Sequence, residues 1–430
     1  MINRKPLYTF LAIAFCLEVF SLTLFILQDL NAYVIAFIWL FAIVFVIFCV
    51  AVKLALDHYF DELPNLSWMI FGLAILFRLT IFWTVPTLSE DFFRYMLDGR
   101  AQVAGLSPYD YPPEAPQLNA VHDQYFPKIN WKQFKTPYPP GAENVFHLLA
   151  KLSSGLFGFK FGILCFDILL IECLRRILKS ENRSPALLLL YAWHPLVVVE
   201  FAGSGHMDII GMAMLCLSLT LFVRSQSALS GITLAFAAMV KYLPLFAIPW
   251  MIKKGGWKFL LCGAVMLALM ALQFYTPDLR MLDGIRQYYQ KWWFNDSLFS
   301  LLRYAFGSAE YARRFGIAFT VLVMLFCLYA RFDVYRSLLY IFGTVLLFSP
   351  VVHPWYVCWV IPFLVFHQSR AWLFFSGWIA ISYYIRHMFP VGPWNEPVWF
   401  KLVIYIPLYL IMLFDGSKAL FRRKDAAAAA

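Results

Sequence analysis

Long apolar runs, separated by short polar or Pro- and Gly-rich stretches, dominate the chain. They fall at about 8–28, 32–55, 67–85, 160–178, 185–201, 207–223, 228–252, 257–275, 312–330, 335–350, 354–367, 370–385 and 398–414. Many approach the roughly 20 apolar residues a helix needs to cross a hydrocarbon core. The pattern predicts an all-α polytopic membrane protein. Charges between the runs set its orientation, because Lys and Arg are retained on the cytoplasmic side. With the N-terminus inside, residues 29–31 fall outside and 57–64 inside. Arg175, Arg176, Lys179 and Arg183 then fall inside, 203–208 outside and Arg224 inside.

The run at 227–252 breaks this count. If it crossed once, Lys253, Lys254 and Lys258 would face outside. Lys241 sits in its middle, followed by Pro244 and Pro249. Proline removes a backbone donor and breaks a helix. The run is therefore expected to form two half-helices that enter from the cytoplasm and return. Broken backbone of this kind is tolerated only against protein or a water-filled cavity. Downstream, 276–295 is then outside, 331–336 inside, 352–354 outside, 367–370 inside, 386–397 outside and 418–424 inside. The expectation is twelve spans plus one re-entrant pair, with both termini cytoplasmic. A single long tilted span is the alternative, and it inverts every later loop.

Composition narrows the class. The chain is 62% hydrophobic and 14% charged, with mean hydropathy +0.69, against about 45–50% and 25% in soluble domains. A soluble enzyme, a disordered chain and a nucleic-acid-binding module are excluded. The net charge of +10 reads as loop charge on the inner side. The eight cysteines lie in or beside apolar runs without metal-ligand spacing, and read as packing residues. Arg4 and Lys5 precede a first run too long for a signal-peptide core, so it reads as an uncleaved span. Residues 1–425 are expected to form one membrane domain, and Ala426–Ala430 to be an appended remnant.

The segment 86–159 is about 70 residues of outer loop, far above the usual median of about 4–6. Ordered loops of that length tend to carry function. It opens Ser89-Glu90-Asp91-Phe92-Phe93-Arg94-Tyr95 and continues to Asp98-Gly99-Arg100. Ser89 is expected to cap a helix with Glu90 and Asp91 in its first turn. Phe92, Phe93, Met96 and Leu97 form an apolar stripe. Asp91 and Asp98, two turns apart, share one face. The plainer reading is a capped amphipathic helix with surface charges. Gly105-Leu106-Ser107-Pro108-Tyr109 reads as a helix stop, and 144–156 as an interfacial helix.

Four other outer segments place polar groups beside span ends. They contain Glu200 to Asp208 with His206, Trp292 to Phe299 with Asn295, Ser349 to Tyr356 with His353 and Trp355, and Arg386 with His387. Ionisable groups near a bilayer are costly and need partners or a pathway. His206 and Asp208 also fit a simple helix cap, and His353 an interfacial residue. Lys241, in a Pro-broken apolar run, wants an anion or a carboxylate, or snorkels to the interface. No nucleotide-phosphate loop and no His-Glu-x-x-His motif occurs.

The first-loop residues, with Tyr138-Pro139-Pro140, Gly205-His206-Met207-Asp208, Lys241-Tyr242-Leu243-Pro244, Phe294-Asn295-Asp296-Ser297 and His353-Pro354-Trp355-Tyr356, form an ordered set. The set resembles GT-C superfamily integral membrane glycosyltransferases. It is most similar to bacterial polyprenol-phosphate-mannose-dependent mannosyltransferases and family 87 relatives. The resemblance implies a sugar, mannose by analogy, moved from a polyprenyl-phosphate donor to an acceptor hydroxyl at the outer face of the inner membrane. It implies an acidic catalytic base in the first outer loop, here Asp91, with the adjacent Glu90 as the alternative. Arg94, Asp98, Arg100, Tyr109, His206, Asp208, Lys241, Asn295, His353 and Trp355 are the expected substrate-binding residues. No cofactor is expected beyond the donor itself, and a divalent metal stays open. The expected partners are the lipid-linked sugar, a glycan, glycolipid or protein acceptor, and membrane lipid, without nucleic acid. The chemistry fits: a base takes the acceptor proton, and Lys241, Arg94 or His353 meets the departing phosphate. One base without a covalent nucleophile implies inversion, by analogy with glycoside hydrolysis. A lipid-linked sugar transporter or flippase shares the spans and central charges, but predicts internal repeats that the sequence does not show. A non-catalytic assembly subunit would tolerate loss of both Glu90 and Asp91.

Overall fold

The computed structural model describes residues 4–389 and 395–428, with side chains described through 418. Part of the expected outer segment 386–397, the side chains of most of the expected inner segment 418–424, and those of the alanine tail lie outside the described residues. The regular elements of the described residues are all helices, apart from an isolated bridge between Phe294 and Val351. α1 (Lys5–Leu27) and α2 (Val34–Leu56) are apolar on all faces. On α1, Phe10, Ile13, Leu17, Phe20 and Leu24 point into the bundle at helical spacing, while Phe15, Leu22 and Ile26 lie exposed. A helix apolar all round suits a membrane rather than water on its open side.

Among the described residues, five helices are long and apolar enough to cross a membrane: Lys5–Leu27, Val34–Leu56, Leu243–Gln273, Ala309–Tyr329 and Val398–Lys418. Pro185–Ala192 and Pro195–Gly203, bent by 47°, add a sixth if they form one broken span. Helix length alone thus supports fewer crossings than the twelve expected from apolar runs. The other runs form shorter helices, such as α3 (Leu66–Phe82), Asp208–Val223 and Val334–Phe348. Prolines at 195, 354 and 362 divide others into turns of α-, π- and 3-10 helix, because each ring removes a ladder donor.

The Lys241 region folds back on itself. The helix Ser227–Val240 ends at Lys241, whose backbone is extended. A 3-10 turn at Leu243–Ala247 leads into Ile248–Gln273, which is interrupted at Gly256 with φ 62°. That conformation is open to glycine and strained for other residues. Before this break, Lys254 lies 5.8 Å over Phe222, at the end of Asp208–Val223 remote from Asp208. After it, Phe274 packs 5.1 Å from Tyr109 in the long loop. The chain therefore runs away from Asp208 and returns.

The long loop is compact. It contains α4 (Asp91–Val103), two short 3-10 turns and α5 (Pro140–Leu152), and leads into α6 (Leu156–Ser180). Contrary to the expected Ser89 cap, Glu90 occupies the cap position without a side-chain bond. The Ser89 hydroxyl instead accepts the Asp91 N–H at 3.3 Å. Nor is α4 a surface helix: every residue from Phe92 to Gly99 is buried. Gly99 permits this, because a Cβ there would stand 2.4 Å from the Phe146 carbonyl oxygen of α5. The expected interfacial helix is α5, which is itself a packing element. Its buried Glu143 accepts from Thr136 Oγ1 at 2.6 Å and Gln102 Nε2 at 2.8 Å.

Deeper in the bundle, Arg78 of α3 and Asp167 of α6 form a fully buried ion pair. Arg78 Nε donates to Asp167 at 2.6 Å, its Nη1 donates to the Ala192 and Ala74 carbonyls at 2.7 and 3.1 Å, and Tyr191 Oη donates to Asp167 at 2.9 Å.

Candidate active site

The start of α4, the turn before Asp208–Val223, the break at Lys241 and the turn at His353 enclose a chamber of about 1090 Å³. Asp91, the first residue of α4, is half-buried and lines it. Burial, then the neighbouring Glu90 and Asp208 carboxylates, pushes the Asp91 carboxyl up to about 7, and Arg386 and Lys241 only partly oppose this. Glu90 is placed differently. Its two oxygens accept from Arg386 Nη2 at 2.8 and 2.9 Å. One carboxyl is thus committed to a guanidinium, while its neighbour keeps an affinity for a proton near neutrality.

Asp208 accepts from the Lys241 ammonium and from Trp359 Nε1, the latter at 2.6 Å. It does not cap its helix, whose N-cap position is Met207. Lys241 also stands 3.7 Å over the Tyr356 ring, and Tyr356 shares a 2.8 Å hydroxyl contact with Tyr288. Four rings form a column: Phe294 to His353 at 4.6 Å, His353 to Trp355 at 4.2 Å, and Trp355 to His206 at 3.8 Å. Burial, helped by Lys241 and Arg386, lowers the His353 imidazole to about 3. At neutral pH it is an uncharged hydrogen-bonding group rather than a cation.

Of the residues expected from sequence, Glu90, Asp91, Arg94, Asp208, Lys241, His353 and Trp355 line the chamber. Asp98 lies behind it, holding Arg94 Nε through both oxygens at 2.8 and 2.9 Å. His206 lies under Trp355, with Nε2 3.4 Å from Glu200. Three others are not among the residues that line the chamber. Arg100 donates to the Val121 carbonyl at 3.1 Å and to Asp123 at 2.7 Å. Tyr109 Oη donates to the Tyr138 carbonyl at 2.7 Å. Asn295 Nδ2 donates to the Val352 carbonyl at 3.1 Å. The chamber also takes in Arg386, Tyr288, Lys128, Trp131, Lys291 and Trp292, none of them among the expected site residues. Arg386 was legible as a cation beside an apolar run. Tyr288 and Lys291 lie on the helix Asp283–Lys291, and Lys128 and Trp131 in a loop stretch whose residue types carry no signal until the loop folds. Among the described residues, no group of three or more His, Cys, Asp or Glu is arranged to hold a metal ion.

Among curated proteins, none matches this chain. A family model described as the N-terminal domain of alpha-(1->6)-mannopyranosyltransferase, the MptA_B family, matches residues 18–253. The matched region includes Asp91, Arg94, Asp208 and Lys241, whereas His353 and Arg386 lie beyond it. Since that match spans more than half of the sequence, this chain belongs to the MptA_B family of alpha-(1->6)-mannopyranosyltransferases, a mannosyltransferase type of GT-C relative.

Proposed function

We propose that the protein transfers mannose from polyprenyl-phosphate mannose to an acceptor hydroxyl at the outer face of a bacterial inner membrane. The observation that carries this reading is Asp91. It is a carboxyl held near pKa 7 in a chamber that also receives Lys241, Arg94 and Arg386. As the acceptor oxygen bonds to mannose C1, its proton passes to Asp91. The bond from C1 to the phosphate oxygen breaks, and its electron pair leaves with the lipid phosphate. Lys241 and Arg94 offset the charge that develops there, and neutral His353 supplies a hydrogen bond. Attack opposite the departing phosphate inverts C1. Glu90 orients Arg386, and its closeness helps raise the Asp91 carboxyl, which holds the base ready for a proton.

The membrane reading follows the same line. The stretch from Ser227 to Gly255 enters from the cytoplasmic side, turns at Lys241 and goes back, as part of a twelve-span arrangement. This brings a lysine to the chamber without exposing Lys253, Lys254 and Lys258 outside. Asp91→Asn, reconstituted in liposomes with polyprenyl-phosphate mannose and a mannoside acceptor, is expected to lose about 10²- to 10⁴-fold of the transfer rate. Undiminished transfer would remove Asp91 from the mechanism.

A further inference from the structure

A second group of cations lies at the far end of the bundle and takes no part in the chamber. α6 and the helix Asp208–Val223 both start beside the chamber. Asp208 lines it, and Phe159 packs 5.8 Å from Phe92, the neighbour of Asp91. At about 1.5 Å per residue, the other ends of these helices lie roughly 22–24 Å away. There they enclose a cavity of about 510 Å³ lined by Arg175, Arg176, Lys179 and Arg224, and among the described residues no carboxylate lines it. Glu172, outside the lining, accepts from Arg175 Nε and Nη2 at 2.7 and 2.8 Å and from Arg176 Nε at 2.5 Å. Lys179 and Arg224 make no ion pair among the described residues. The Ser180 and Thr220 hydroxyls in the lining donate to the Ile177 and Cys216 carbonyls, both at 2.8 Å, so the free donors are those of the cations. Lys254, 5.8 Å over Phe222, adds a further positive charge beside Arg224. A helix C-terminus favours a nearby cation, but four cations against one carboxylate leave positive charge uncompensated.

We propose that this cavity binds the headgroup phosphate of an anionic phospholipid in the leaflet opposite the chamber. Clustered Lys and Arg at membrane-facing helix ends attract anionic headgroups, and guanidinium groups match phosphate oxygens in pairs. The surroundings suit a lipid rather than a soluble anion. On α6, Arg176 and Lys179 continue, at helical spacing, a face on which Phe161 and Cys165 are exposed and Ile168 is half-buried. Glu172, between them, is the residue paired with the arginines. A headgroup held by the cations thus lays an acyl chain along that apolar face. Trp68 of α3 is 54% exposed, with the Arg175 guanidinium 4.0 Å over its ring. An exposed indole beside cations is what the headgroup depth of a bilayer selects. No residue of the chamber takes part, so the inference needs the membrane but not the transferase reading.

The test uses the full-length protein in a neutral maltoside detergent. Dioleoyl phosphatidylglycerol, dioleoyl phosphatidylcholine or glycerol 3-phosphate is titrated in, and the bound molecules are counted by native mass spectrometry. The unaltered protein should hold phosphatidylglycerol about tenfold more tightly than phosphatidylcholine. K179Q/R224Q removes two cations on which no carboxylate of this chain depends. Its unfolding temperature should be unchanged, while its affinity for phosphatidylglycerol falls roughly 10- to 30-fold. K179R/R224K keeps the charge and should stay within about threefold of the unaltered protein. K253Q/K258Q removes the same charge beside Lys254, from exposed positions outside the cavity, and should change the affinity by less than about twofold. Equal losses in the two glutamine pairs would reduce the effect to general surface charge and overturn the site. Equal retention of the two lipids, or full affinity in K179Q/R224Q, would overturn it as well. Glycerol 3-phosphate bound as tightly as phosphatidylglycerol, and lost in K179Q/R224Q, would assign the cavity to a soluble phosphate and overturn the lipid. If K179Q/R224Q does not fold, Lys179→Gln alone decides: a fall of about fivefold is expected, and no fall overturns the site.

Discussion

Two of the ion pairs inside this molecule are built in opposite ways. Arg78 and Asp167 are fully buried and saturated, with carbonyls and a tyrosine hydroxyl taking up their remaining hydrogen-bonding capacity. Lys241 and Asp208 are also close, but the lysine lies at a break between helices and faces the chamber. Its other neighbour is an aromatic ring rather than a second acceptor. A closed pair fixes the distance between α3 and α6. An open pair leaves one of its charges able to meet an incoming anion. Burial of charge therefore does not by itself mark a functional site; access to a chamber does.

Four measurements would break or sharpen this contrast. Arg78→Met strands Asp167 in the bundle and should cost about 3–5 kcal/mol. That would be read as a large drop in folded yield and unfolding temperature in detergent, largely recovered in Arg78→Met/Asp167→Leu. Lys241→Met should instead lower transfer by about 10²-fold with a much smaller change in unfolding temperature. If the two variants unfolded alike, the distinction between closed and open pairs would fail. The pH profile comes next. A base must be ionised to accept a proton, and the Asp91 carboxyl lies near 7. Transfer should therefore rise as pH increases through that value, by about tenfold between pH 6 and pH 8. A profile flat over this range would rule out Asp91 as the titrating base. The smallest effect is expected for Glu90→Gln. Glu90 raises the Asp91 pKa by charge repulsion, so its neutralisation should move the rising limb of that profile to lower pH.

Much of the chamber lining was legible before folding. The acidic start of the long loop, Lys241 in its proline-broken run, and the His353-Pro354-Trp355 turn each break an apolar pattern, and such breaks are costly without purpose. The family match supports the mannosyltransferase reading these residues suggested. Other expectations met a different environment. Arg100, Tyr109 and Asn295 have the right chemistry for a sugar site, yet their donors are spent on loop and turn partners. The loop helix α4 read as amphipathic because spacing shows only one covered face, and α5 covers another. Trp131 and Trp292 lie 161 positions apart in the numbering, and nothing local to either announces the other.

The sequence by itself determined that this is a helical, membrane-type protein, which chain segments carry its costly charges, and that an acid opens the long loop. Those properties follow from hydropathy and charge, which are additive along a chain. Only the tertiary structure raises the proton affinity of Asp91, first through burial and then through the nearby Glu90 and Asp208 carboxylates. It also brings Arg386, almost 300 residues away, onto Glu90. Electrostatic environment is set by distances in space, and a one-dimensional pattern does not contain them.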